Sequence, residues 1–319
     1  MQNKMIWVAI ILVLIISLIA IYFTFTTPTD LQESLDSLIE RNRNLEKETQ
    51  LLTQKVAPYI YAGEAVGYVI EFENGAKFYF AGDTGVFSDL KLIGDYYRPD
   101  IVFLPISNLQ TMDPKAAAYA ASLVNPEKYI IPYRYASFPA LTQDPDQFFQ
   151  ELKKYRPRAD PLELEIGKER TLMGIKVEWL GHGDFLFENP KGTRILIDPE
   201  VRYNPSFPEK YKELTQLKRI EIILITHGHF DQMTFSDLKK WGDLFDPIFI
   251  APYETGIWLK ENLPQESIMP INKGSRISKK QMLDLGLPEE RVEKISEIVI
   301  NVVPATHSSS ITPEGVKVP

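Results

Sequence analysis

The chain has 319 residues, of which 44% are hydrophobic and 24% charged, and it contains no cysteine. That composition excludes a mainly disordered chain, and the missing thiols exclude disulfides, thiolate metal sites, iron–sulfur clusters and cysteine nucleophiles. Lys and Arg total 35 against 43 Asp and Glu, and the net charge of −8 gives no bulk attraction to nucleic acid.

The chain opens with an apolar run, Met5 to Phe23, in which Ser17 is the one clearly polar side chain. About 20 such residues suffice for a helix to cross a bilayer. The run exceeds a signal-peptide core, and no A-x-A-like cleavage site follows, so residues 1–28 read as an uncleaved single-pass anchor. Lys4 ahead of the run favours a cytoplasmic N-terminus and an extracytoplasmic body. Pro28 ends this helix, and Thr29 with Gln32 forms a capping-box pattern for a second one. Leu31, Leu38, Leu45 and Leu52 repeat by sevens, as do Leu35, Asn42, Thr49 and Val56. Heptads with an Asn at one core position predict a two-stranded coiled-coil stalk over residues 29–57, hence a homodimer through residues 31–56. The competing reading is an amphipathic helix packed on its own domain.

From residue 58 onward, short apolar runs alternate with helical patterns such as Asp113–Leu123 and Asp146–Tyr155. Several runs stop at a polar residue. FYF leads to Asp83 and Thr84, IVFLP to Ser107 and Asn108, YIIPY to Arg134, RILI to Asp198, IEIILI to Thr226 and His227, and VVPA to His307. This predicts a layered α/β domain with its chemistry on loops at one edge of the sheets.

The sharpest signal is His227-x-His229-x-Asp231 directly after a buried strand. Side chains at i and i+2 can converge on one ion, and an Asp two further on reaches a neighbouring position. Two of only four histidines fall in this triplet. Imidazole and carboxylate donors suit zinc, with manganese or iron as substitutes. His307 at another strand end and Asp83 in a glycine-bracketed turn gain weight as further ligands.

The stretches KVEWLGHGDFLF, RILIDPE, ILITHGHFDQ, VVPATHSSSI, GYVIEFENGAKFYFAGDTGVFSDLKLIG, DIVFLPIS and IPYRYASFP cover most of residues 58–319. Together they resemble the metallo-β-lactamase superfamily, closest to metal-dependent hydrolases akin to the L-ascorbate-6-phosphate lactonases. The resemblance implies a four-layer αββα sandwich and metal-dependent hydrolysis. It also implies a circular permutation, because residues 58–170 resemble the family's second half and 174–319 its first.

Two positions depart from the family pattern. Gln232 and Arg134 stand where the family places histidines of a second metal site. The resemblance therefore implies one ion, held by His227, His229 and His307 with Asp83 and Asp231 beside it, and with the Arg134 guanidinium replacing the second cation by pairing with Asp231 or Asp83. Asp231 would orient and deprotonate the attacking water, Arg134 would stabilise an oxyanion or hold an acidic substrate group, and His182 would face the substrate. Asp198 and Gln232 would support the ligands, with Ser107, Asn108 and Thr84 lining the site; the role of Asp184 stays open. The expected activity is hydrolysis of an ester, lactone or phosphodiester bond of a small-molecule or lipid-like substrate by metal-bound hydroxide, with no nucleic-acid partner. The competing expectation is a degenerate metal- or ligand-binding scaffold that has lost the second site.

Overall fold

The computed structural model describes residues 36–44, 60–263 and 267–312. The predicted span Met5–Phe23 and most of the heptad segment lie outside these residues. Among the described residues no helix is long and apolar enough to cross a membrane. Residues 36–44 are helical, with Leu38 exposed. They belong to a different unit from Tyr59–Glu314, the body treated below.

In chain order the body contains β1 (Ile60–Tyr61), β2 (Val66–Glu71), β3 (Lys77–Phe80), α1 (Asp89–Tyr97), β4 (Ile101–Pro105), α2 (Pro114–Val124), β5 (Tyr129–Tyr133), α3 (Asp146–Leu152) and β6 (Asp160–Pro161). It continues with β7 (Glu169–Leu172), β8 (Ile175–Trp179), β9 (Phe185–Glu188), β10 (Arg194–Ile197), β11 (Ile222–Leu224), α4 (Phe235–Phe245), β12 (Ile248–Pro252), α5 (Tyr253–Asn262) and β13 (Ile268–Ile271). Last come β14 (Arg276–Ile277), α6 (Lys279–Asp284), α7 (Glu289–Val292), β15 (Val299–Pro304) and β16 (Ser310–Ile311). The expected helices at 113–123 and 146–155 correspond to α2 and α3. Asp113 caps α2 by accepting from the Ala116 N–H, and Pro114 fits the first turn, where no N–H is needed.

Two seven-stranded sheets form, ordered β13-β12-β11-β10-β9-β8-β7 and β14-β15-β2-β3-β4-β5-β6. Each is antiparallel at one end and parallel at the other. In the second sheet β2 and β3 pair antiparallel, while β3, β4 and β5 run parallel. In the first, β9 and β10 pair antiparallel, while β10, β11 and β12 run parallel. Parallel neighbours need crossovers, and helices supply several of them.

The sheets face each other through aromatic rings. Phe185 of one packs on Phe80, Phe103 and Tyr133 of the other at centroid distances of 5.4, 5.2 and 5.5 Å. Phe187 meets Phe78 edge-on at 5.7 Å. Such offset and edge contacts are the favoured ring geometries. Leu90, Ala117 and Phe148 from α1–α3 pack on one sheet, and Leu238, Trp241 and Leu259 from α4 and α5 on the other. Parallel strands covered on both faces must be apolar throughout, which is why IVFLP and IFIAP are buried at every position.

Candidate metal centre

His227 and His229 follow β11, and His307 follows β15, so each sheet contributes to one site. His227 Nε2 lies 3.1 Å from His229 Nδ1, which lies 3.3 Å from His307 Nε2. The three nitrogens fall within 4.8 Å of one another, and among the described residues no other group of three His, Cys, Asp or Glu side chains converges this way. Burial and then repulsion from His229 and His307 hold His227 well below the ordinary imidazole range. Burial, then His229, brings His307 down to about 4, and burial lowers His229 as well. All three rings are neutral at pH 7, the form that ligates. Lone pairs facing one another at such distances repel unless a cation or proton lies between them, so this donor set fits a borderline-soft divalent ion.

The tautomer of His227 has a structural cause. Asp198 accepts from Thr226 N at 2.7 Å and from Thr226 Oγ1 at 2.6 Å. Burial raises the Asp198 carboxyl well above its ordinary value, with the two Thr226 hydrogen bonds pulling it back; in its ionised form it takes the one hydroxyl proton, and the Thr226 oxygen then accepts the His227 Nδ1–H at 3.0 Å. Nε2 is left with a lone pair turned to the other two rings. The Asp83 loop approaches closely through Gly82, at φ 65°: a Cβ there would meet Val66 O at 2.7 Å and the Thr226 side chain at 3.1 Å.

Arg134 is the hub of the second half of the site. Its Nη2 lies 2.6 Å from Asp231 Oδ2, 2.9 Å from Asp83 Oδ2 and 3.0 Å from Gln110 Oε1. Its Nη1 lies 2.8 Å from His182 Nε2. An Arg nitrogen can only donate, so His182 Nε2 accepts and Nδ1–H points to Ser137 Oγ at 2.8 Å. Burial, then the neighbouring guanidinium, lowers His182 to about 4.

The two carboxylates differ. Burial pushes both up, but the Arg134 guanidinium outweighs it at Asp231, which stays well below the usual range. At Asp83 burial wins, and the carboxyl rises to about 7. Asp83 Oδ2 also accepts no well-aligned hydrogen bond, and it lies 3.7 Å from both His227 Nε2 and His307 Nε2. Thus Asp83 keeps an oxygen toward the triad, whereas Asp231, expected among the ligands, is turned to Arg134 and His182.

Gln232 is buried, its amide nitrogen unpartnered. Asp184 Oδ2 accepts from Asn204 Nδ2 at 2.9 Å and braces that loop. Ser107 pairs with Thr111, Asn108 is exposed, and Thr84 Oγ1 accepts from Thr306 N at 2.9 Å, one residue before His307. Gln110, Ser137 and Thr226 escaped the sequence reading as site residues in their own right. Arg134, His182 and Asp198, all at strand ends or just beyond, sit at φ 60°, 48° and 46°. Non-glycine residues in that left-handed region are uncommon and gather at functional sites.

A family model described as "Beta-lactamase superfamily domain" matches residues 52–131 and 193–317. A UPF0173 metal-dependent hydrolase of Koribacter versatilis is 47% identical over 109 residues, which is 34% of this chain and 45% of the relative. One of Chloroflexus aurantiacus is 42% identical over 109 residues, covering 34% of this chain and 44% of the relative. The chain thus spans under half the length of these curated relatives. A solved structure of a metallo hydrolase from Ignicoccus hospitalis is 36% identical, covers 30% of this chain and 41% of its own, and superposes with a TM-score of 0.28.

Proposed function

Since the chain belongs to the metallo-β-lactamase superfamily, whose domain model matches more than half of it, we propose that it is a hydrolase carrying one divalent cation, zinc by its donor set, on His227, His229 and His307. The convergence of their three nitrogens within 4.8 Å carries this reading. Such an ion, when bound, supplies Lewis acidity and acidifies water at neutral pH.

The chain's own residues divide the remaining work. Asp83, whose Oδ2 lies 3.7 Å from both His227 Nε2 and His307 Nε2, is placed to orient the attacking water and take its proton. Asp231, held ionised, anchors Arg134. The guanidinium is already shared by two carboxylates, so it acts as an internal cation in place of a second metal rather than as a free clamp for an acidic substrate. His182, its Nε2 committed to Arg134, orients that guanidinium. The bond cleaved is an ester, lactone or phosphodiester. The apolar run at residues 5–23 supports membrane anchoring, and the heptads at 31–56 support a homodimer.

Elemental analysis of the purified full chain tests the core of the proposal. About one zinc, manganese or iron per chain is expected, lost in His227→Ala and His229→Ala. Hydrolysis across a panel of lactone, carboxylic ester and phosphodiester probes should vanish on chelation and return with metal. A native chain that takes up no metal from zinc- or manganese-supplemented medium would refute the reading.

A further inference from the structure

One hydroxyl ties together the two loops that carry the three histidines. Ser309 lies two residues after His307 and is buried. Its Oγ accepts from the N–H of Gly228 at 3.1 Å, and Gly228 is the residue between His227 and His229. The same Oγ donates to Ala62 O at 3.2 Å, which also accepts from Thr255 Oγ1 at 2.8 Å. The Ala62 N–H returns to Ser309 O at 3.3 Å. Just beyond, β1 pairs with β16, Ile60 opposite Ile311 and Tyr61 opposite Ser310.

Gly228 is closely packed at this stitch. A Cβ on it would meet Ala62 Cβ at 2.8 Å and Ile311 Cγ1 at 3.0 Å. The backbone between two of the histidines is thus packed against Ala62 and Ile311 and hydrogen-bonded to the loop of the third. A shift of Gly228 would displace both neighbouring rings at once, whereas a shift of Ser309 would displace His307 relative to them.

We propose that Ser309 is a positioning residue for the metal centre: its hydroxyl fixes the distance between the His227–His229 loop and the His307 loop and so sets metal affinity. This rests on the metal-centre reading above. A group that orients ligands without touching the ion commonly contributes ten- to a hundred-fold in affinity. Ser309→Ala removes both hydrogen bonds of the hydroxyl and leaves the β1–β16 backbone pairing in place. Ser309→Cys keeps the shape and weakens both bonds.

The test uses the full chain stripped with a chelator and reloaded with zinc or cobalt. Three quantities are read: the Kd by competition with a chromophoric chelator, the visible spectrum of the cobalt form, and the melting temperature without metal. The expected result is a Kd raised roughly ten- to a hundred-fold in Ser309→Ala, an altered cobalt spectrum, and an intermediate Kd in Ser309→Cys. Native Kd and native cobalt spectrum in Ser309→Ala would overturn the proposal, including where only the metal-free melting temperature falls. Should Ser309→Ala not fold, a native Kd in Ser309→Cys overturns it equally. A native chain that takes up no cobalt refutes the metal-centre reading itself, a result distinct from a native chain that loads one equivalent and a variant that loads it equally well.

Discussion

Arg134 lies between Asp83 and Asp231, so with both acids ionised the three side chains carry one net negative charge in a buried setting. Removing the guanidinium strands two carboxylates, and a buried ion pair broken on one side commonly costs about 3–5 kcal/mol. Arg134→Leu should therefore lose about that much stability in urea unfolding of the metal-free chain. Excess zinc or manganese should restore part of it, with metal content rising from about one toward two per chain. Unfolding curves unchanged by the substitution would contradict this account. Glu200 offers a separate pH test. Burial, then Asp237, raises its carboxyl from 4.5 to about 8. The folded chain therefore keeps a proton that the unfolded chain releases, and stability falls as pH rises through that window. Glu200→Gln, which imitates the protonated form, should flatten this fall between pH 5 and pH 8 when urea midpoints are compared. Much of the site was legible at this scale. Histidines are scarce, and three of the four sit at strand ends. The pairing of Arg134 with Asp231 and Asp83 was expected from the resemblance, which sets Arg134 in place of a second-metal histidine beside carboxylates that need a counter-charge. Ser137, Gln110 and Thr226 were not legible as a supporting set, because short polar side chains in loops show their role only once the opposing loop is in place.

The elements place these residues by a repeated device. A short apolar strand runs its length inside two layers and ends at a polar loop, and at Arg134 and Asp198 the residue directly after the strand lies in the left-handed region. The apolar runs were readable as strands because both faces are covered, and α2 and α3 because their apolar residues recur at helical spacing. Strands of two residues such as β6 and β14 were not readable, since so few side chains carry no period. Helix packing is equally specific. Gly94 in α1 lies against the end of α2, where a Cβ would clash with Val124 O. A backbone carbonyl cannot swing aside as a side chain can. Gly94→Ala should thus cost about 1–3 kcal/mol, read as a lower melting temperature with metal content unchanged, because this contact lies on the helix layer rather than at the strand-end loops.

Across the whole molecule, the two sheets share one plan of an antiparallel end and a parallel end, and the site forms where their loops meet. We propose that the chain order of the halves is permuted relative to the family. In support, β1 and β16, at the two ends of the body, lie side by side. Joining the ends near there and opening the chain between β6 and β7 should give a protein that still loads metal and melts cooperatively, since contacts rather than chain order define a core. A rejoined chain that stays unfolded would count against the permutation. The aromatic seam carries a further consequence. Phe78, Phe80, Phe103, Phe185 and Phe187 are fully buried only because each sheet shields the other. Severed between β6 and β7, each fragment would bare a slab of rings to water and clump when made alone. Made together, the fragments would find one another and rebuild the sandwich, a split protein in which metal uptake reports reunion.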